Sequence, residues 1–248
     1  MLPHRRTTDM KRMIIRSTTA ALTLAAALLS TAVHVGATSV SPSPSPSPLT
    51  FQTLQQSLES RITARENLLS TLNLRVSSST TLTGSDRSAL DAIINHAESG
   101  MTSLMTQTQQ ATTDATLKIL ANEMVVDYRV YVVVAPQVDL TIINDHEVSV
   151  SNRLANLEPA IQNLIALEQQ RGKNVGNADA TFADYKTSVS NAQEQIGQVS
   201  TATLLGETPQ SYPGSSTVFQ AARTNLENAR TDFSNVRNDL QTLIADLK

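Results

Sequence analysis

The chain has 248 residues, no cysteine, 17% charged residues and eight aromatics, four Tyr and four Phe. The absence of cysteine excludes a disulfide framework, a thiolate metal site, a Cys nucleophile and lipid attachment at a lipoprotein cysteine. Residues 1–37 hold five bases (Arg5, Arg6, Lys11, Arg12, Arg16) against Asp9, so of the net charge of −3 they carry +4 and residues 38–248 carry −7. An acidic chain with no basic block argues against a nucleic-acid partner.

In chain order, the first element is an export signal. A basic stretch ending at Arg16 is followed by an uncharged run over residues 17–33 and by small residues at Val35 and Ala37, which predicts a signal peptide over 1–37 with cleavage after Ala37. An uncleaved segment would instead serve as a membrane anchor, the one membrane contact expected, although the run is short for a span of ~20 residues. A Ser/Pro-rich linker over 38–50 follows, because SPSPSPSP at 41–48 fixes φ at every second residue. It predicts an extended spacer of roughly 25 Å at ~3.1 Å per residue.

From residue 51 the apolar positions recur every three and four residues, the helical and coiled-coil rhythm. Leu58, Ile62, Leu69, Leu72 and Val76 mark a first helix, with Arg65 intruding on the seam. Ser85 reads as the N-cap of a second, carrying Leu90, Ile94, Ala97, Met101, Leu104, Thr108 and Ala111, weakened at Gly100 and expected to fray after Thr106. The run at 125–135 is β-branched and would suit a strand, yet Leu117, Leu120, Met124, Tyr128, Tyr131, Ala135, Val138 and Ile142 carry a helical stripe through it. Pro136 has no N–H for the carbonyl of Val132, so a kinked helix is predicted there. Val150, Leu154, Leu157, Ile161 and Leu164 follow, with Pro159 marking a kink or a break near Leu157 and Arg171-Gly172 an end. The last two helices are the most regular: Val175, Ala178, Phe182, Tyr185, Val189, Ala192, Ile196, Val199, and then Phe219 through Leu247 at the same spacing, forming an antiparallel hairpin around a loop at 206–215.

The predicted fold is all-α, an elongated antiparallel bundle of two three-helix units, 51–147 and 148–248, in a spectrin-like topology joined by the kinked central helix. A thin internal similarity at a constant offset, Arg61-Ile62 onto Arg153-Leu154, agrees with duplication. Because the seams can be filled within one chain, a monomer is expected.

Few residues advertise chemistry. Past the signal only His96 and His146 remain, and Asp145-His146-Glu147 points its side chains about 100° apart on a helix, which suits a polar kink or junction better than a metal. Carboxylate pairs, nucleophile elbows and phosphate loops are missing, so no enzyme, catalytic residue, cofactor or metal is expected. The most distinctive cluster is Tyr128, Arg129 and Tyr131 beside Pro136, read either as two rings in the core with Arg129 toward solvent or as a partner-binding patch.

Three runs, LTGSDRSALDAIINHAESGMTSL, TLKILANEMVVDYRVYVVVAPQV and RLANLEPAIQNLIALEQQRGKNV, resemble a family of exported bacterial all-helical proteins of unknown function. That family usually carries a base after the proline and an A-A-D-R-like stretch later, where this chain has Gln137 and Asn144-Asp145-His146. The resemblance implies export and a helical fold and supplies no activity. The expected function is a non-enzymatic exported module, a spacer or protein-binding element at the cell envelope or outside the cell with an unidentified protein or envelope partner. The alternatives are lipid-surface binding by opened amphipathic helices, which the acidic charge and narrow stripes disfavour, and, more remotely, an enzyme with no recognisable motif.

Overall fold

The structure is a computed structural model and describes residues 50–247. The expected signal over 1–37 and the linker as far as residue 49 lie outside the described residues. Every regular element described is helical, so the fold is all-α: α1 Phe51–Ser78, α2 Gly84–Gln110, α3 Asp114–Val126, a π-helical turn Val130–Val134, α4 Ala135–Ala155, α5 Glu158–Gln170, α6 Gly176–Gly197, α7 Thr201–Gly206, a 3₁₀ turn Pro209–Ser211, and α8 Ser215–Asp246.

Hydroxyl side chains start four of these helices. Thr50, Thr83, Thr113 and Ser200 each accept from the backbone N–H three residues on, a bond worth ~1 kcal/mol at a helix start. Thr83 therefore takes the capping role expected of Ser85, and α2 begins two residues earlier than that reading placed it. It also runs on to Gln110, past the expected fraying point.

Long-range contacts fix the helix directions. Gln55 Nε2 donates to the Thr108 carbonyl at 2.8 Å, and at the other end Arg87 donates to the Val76 carbonyl, so α1 and α2 are antiparallel. The path through α3, the π turn and the start of α4 runs parallel to α1, since Arg65 stacks on Tyr131 and Arg75 pairs with Asp139. These three lines enclose a core of Ile62, Leu69, Leu72, Leu90, Ile94, Met101, Leu104, Leu120, Met124, Val130, Val134 and Val138. The hairpin of α6 and α8 is antiparallel as expected, with Lys173 Nζ donating to the Leu247 carbonyl at 3.2 Å. All eight apolar positions from Val175 to Val199 are buried, and Phe233 alone of the α8 seam is half-buried. The α5 residues Ile161 and Ile165 cover this hairpin against Phe182, Tyr185, Val189, Leu240 and Leu243.

The central helix differs from the expected single kinked one. The chain leaves the α conformation at Asp127–Arg129, where Arg129 sits at φ 40°, and restarts with the π turn. Pro136 follows the π turn as the second residue of α4, and the helix runs on through it. The second break follows the alternative given for Pro159: α4 ends at Ala155 and Pro159 opens α5. At the end of α5, Gly172 at φ 81° lets Lys173 N–H reach the Glu168 carbonyl at 3.1 Å and Gly172 N–H reach that of Gln169 at 2.9 Å, a Schellman closure. The hairpin connection is also longer than expected, because α6 stops at Gly197 and α7 occupies part of it.

The π turn and α4 pack on two sides. Val130, Val134 and Val138 enter the α1–α2 core, whereas Val133 and Leu140 pack with Leu204, Phe219, Ala222 and Leu226 of α7 and α8. A helix buried on two faces needs apolar residues at nearly every position, which is why this run also reads as a strand.

Candidate functional site

The π turn brings together the residues singled out from the sequence, though not in the expected arrangement. Tyr128 lies over Gly100, whose missing side chain leaves the space that the ring fills, and its ring centre is 6.2 Å from that of His96. Burial, together with Glu123 and Asp127, raises the Tyr128 pKa. Tyr131, by contrast, is 49% exposed and rests on the Arg65 guanidinium, 4.9 Å from its ring centre. The two rings are thus not a buried i, i+3 pair, because the left-handed Arg129 between them breaks the helical register. Arg129 does not point away to solvent either. It is half-buried, and its guanidinium lies 4.6 Å from the centre of the Tyr212 ring. Pro136 is buried.

Sequence reasoning missed Arg65 and Tyr212 as parts of this surface. Arg65 carried a signal, a charge on an otherwise apolar seam; Tyr212, in the loop before α8, carried none. Burial lowers the Arg65 pKa, with the nearby Arg61 acting in the same sense and Tyr131 against it.

Below the π turn, α4 presents a polar face inward. Gln137, Thr141, Asn144 and Ser151 are buried at helical spacing, and Gln137 Nε2 donates to the carbonyls of Leu204 at 2.9 Å and Glu207 at 2.7 Å, tying α7 to α4. The Asp145-His146-Glu147 triplet shows no kink, since α4 is continuous through it. Asp145 Oδ2 accepts from the Thr83 N–H at 2.9 Å, the buried Glu147 pairs with Arg230 at 3.0 Å, and His146 is exposed. The adjacent acids thus tie α4 to different helices. Burial raises the Asp145 pKa against the lowering effect of the Thr83 bond, while Asp86 raises it further.

Elsewhere, an open polar groove between α1 and α2 is lined by Asn73, Ser77, Arg87, Asp91 and Asn95, and its arginine is engaged by the carbonyls of Val76 and Ser79. Among the described residues no group of three or more His, Cys, Asp or Glu side chains is placed to hold a metal ion, and no helix is long and apolar enough to cross a membrane. No family model, curated protein or solved structure matches this chain.

Proposed function

We propose that this chain is an exported, non-enzymatic helical module that acts as a spacer or protein-binding element at the cell envelope or outside the cell, and that it works as a monomer. The observation that carries the reading is the π-turn surface. There Tyr131 is half-exposed on an arginine cushion and Val132 is exposed beside it, while Tyr128 is seated over Gly100. Amphipathic rings on a fixed base suit a docking surface, since little side-chain entropy is lost on binding. The basic, apolar and small-residue succession over 1–37 and the SPSPSPSP spacer support export and display away from the membrane.

The finer form of the proposal keeps two helical units in spectrin-like order and membership of the exported helical family that the three runs resemble. Separate apolar clusters around α1–α2 and around α6–α8 support the two units. Amide hydrogen exchange should then give two distinct opening free energies, and one common value would remove that arrangement.

The test of function has two arms. Cell fractionation should find the chain outside the cytoplasm and shortened at Ala37. A photo-crosslinking residue at position 131 should form a discrete adduct that the same residue at the exposed Thr224 does not form. A full-length cytoplasmic chain ends the export reading, and equal labelling from 131 and 224 ends the docking reading. Firm binding to vesicles would favour the lipid-surface alternative instead.

A further inference from the structure

We infer that the corner between the π turn and the start of α8 is a carboxylate receptor, with Arg129 as the binding group. The protein-binding reading above supplies only the source of the carboxylate, an acidic side chain or C-terminus of a partner polypeptide.

The first observation is an unbalanced charge. Three arginines are half-buried among the described residues: Arg65, Arg87 and Arg129. Arg65 donates to the Arg61 carbonyl at 3.0 Å, and Arg87 donates to Val76 and Ser79. Of the better-exposed arginines, Arg75 pairs with Asp139, Arg171 with Glu168 and Arg230 with Glu147, while Arg61, Arg153, Arg223 and Arg237 lie open to water. Among the described residues Arg129 donates to no protein acceptor, and its Nε, like that of Arg65, is buried without one. A cation drawn partly out of water is ordinarily paired, so the missing partner is the feature to explain in a chain whose residues 38–248 are acidic.

A second observation is the backbone that places it. Arg129 holds φ 40°, a conformation that suits glycine and strains an arginine. It is followed at once by a π turn, a rare form found often at functional sites. Strain kept at an arginine rather than relieved by glycine points to a task for its side chain.

The third lies across the corner. The Tyr212 ring under the guanidinium is three residues ahead of Ser215, the first residue of the 32-residue α8. No side chain caps α8, and Ser215 buries its hydroxyl with no partner. The amides of Ser216 and Thr217 are taken by the carbonyls of Pro213 and Gly214, so α8 contributes its positive dipole end rather than free amides. The neighbouring acid Glu207 is engaged, accepting from Ser211 Oγ at 2.6 Å, and Asp127 is exposed two residues before Arg129. One guanidinium and one partial dipole charge match the single charge of a carboxylate better than the double charge of phosphate. A guanidinium offers paired N–H groups in the fork that a carboxylate fits.

The test uses the Arg129 Nε–Hε resonance in the folded chain, titrated at constant ionic strength with N-acetylglycine, N-acetylglycinamide and inorganic phosphate. N-acetylglycine should give a saturable shift, its amide none, and phosphate a weaker one. The shift of the Ser215 amide should follow the same curve and vanish in Arg129→Gly, a variant whose circular dichroism should stay unchanged because glycine accepts the left-handed backbone. Equal responses to N-acetylglycine and its amide, a stronger response to phosphate, or a Ser215 response that survives in Arg129→Gly would each overturn the assignment. An adduct from position 131 alongside a flat titration overturns this inference and leaves the docking reading standing.

Discussion

Gly100→Ala sets two known effects against each other. Alanine is favoured over glycine in a helix interior by ~1 kcal/mol, so the substitution should stabilise α2 if nothing else changes. Here an added Cβ would lie 1.9 Å from Tyr128 Cε1 and 2.2 Å from Cζ, far inside any tolerated contact. The ring must swing away, giving up its place over α2 and its contact with His96, and overpacking of this kind costs ~1–3 kcal/mol. We expect a net loss of about 1 kcal/mol, or about 2–4 °C in melting temperature for a domain of this size. In a Tyr128→Ala background the clash is gone, and the same substitution should gain ~1 kcal/mol. Urea unfolding of the four proteins, followed by helical circular dichroism, gives the coupling directly, with about 2 kcal/mol expected. If Gly100→Ala stabilises the wild type as much as it stabilises Tyr128→Ala, the ring is not over Gly100 and the reasoning fails.

Gln137→Leu strips the carbonyls of Leu204 and Glu207 of their donor and should cost ~1–3 kcal/mol, with faster amide exchange in α7 as the local sign. Gly172→Ala forces a side chain onto φ 81° and should cost ~1–2 kcal/mol, with an unchanged midpoint refuting the Schellman closure. The carboxyls of Asp139, Asp145, Asp232 and Asp239 are all raised, each chiefly by burial. A raised carboxyl holds its proton more tightly in the folded state, so these groups favour the fold at low pH and the advantage is lost as pH rises from about 4 through their folded values. Asp239→Asn removes repulsion from Asp184 and should raise stability at neutral pH while flattening that slope. An unchanged pH profile would show that Asp239 titrates normally.

The ends of the chain's helical stripes were legible because each helix there has one seam. Along α6 the spacing from Val175 to Val199 names only buried residues, since a narrow stripe facing one partner leaves no other place for them. The middle was harder for a definite reason. Apolar spacing records how often side chains return to a face and carries no sign of φ, so the stripe ran on through Arg129 as if the helix were unbroken. The irregularity was placed at Pro136, seven positions late, because proline is the visible helix breaker, while here the helix runs on through it. Gly100 was read as a weak point of its helix, yet it is the notch that seats Tyr128. Of the expected patch, Tyr131 is presented at the surface, Tyr128 is seated over Gly100, Pro136 is buried, and Arg129 turns toward Tyr212.

The two-sided packing of the π turn makes adjacent valines belong to different cores. Val133 joins Leu204, Phe219 and Leu226, whereas Val134 joins the core between α1 and α2. Both are nearly inaccessible to solvent, so replacing either with alanine removes comparable apolar volume and should cost about 2 kcal/mol. The consequences should separate in space even though the substitutions are one residue apart. Val133→Ala should speed amide exchange in α7 and the first turns of α8 and leave α1 and α2 protected, and Val134→Ala should do the reverse. Such a contrast is not expected of a helix buried on one face, where both valines would meet the same partner helices. If both variants lose protection in the same helices, the shared-helix packing is wrong, and the unbroken apolar run at 130–134 needs another cause.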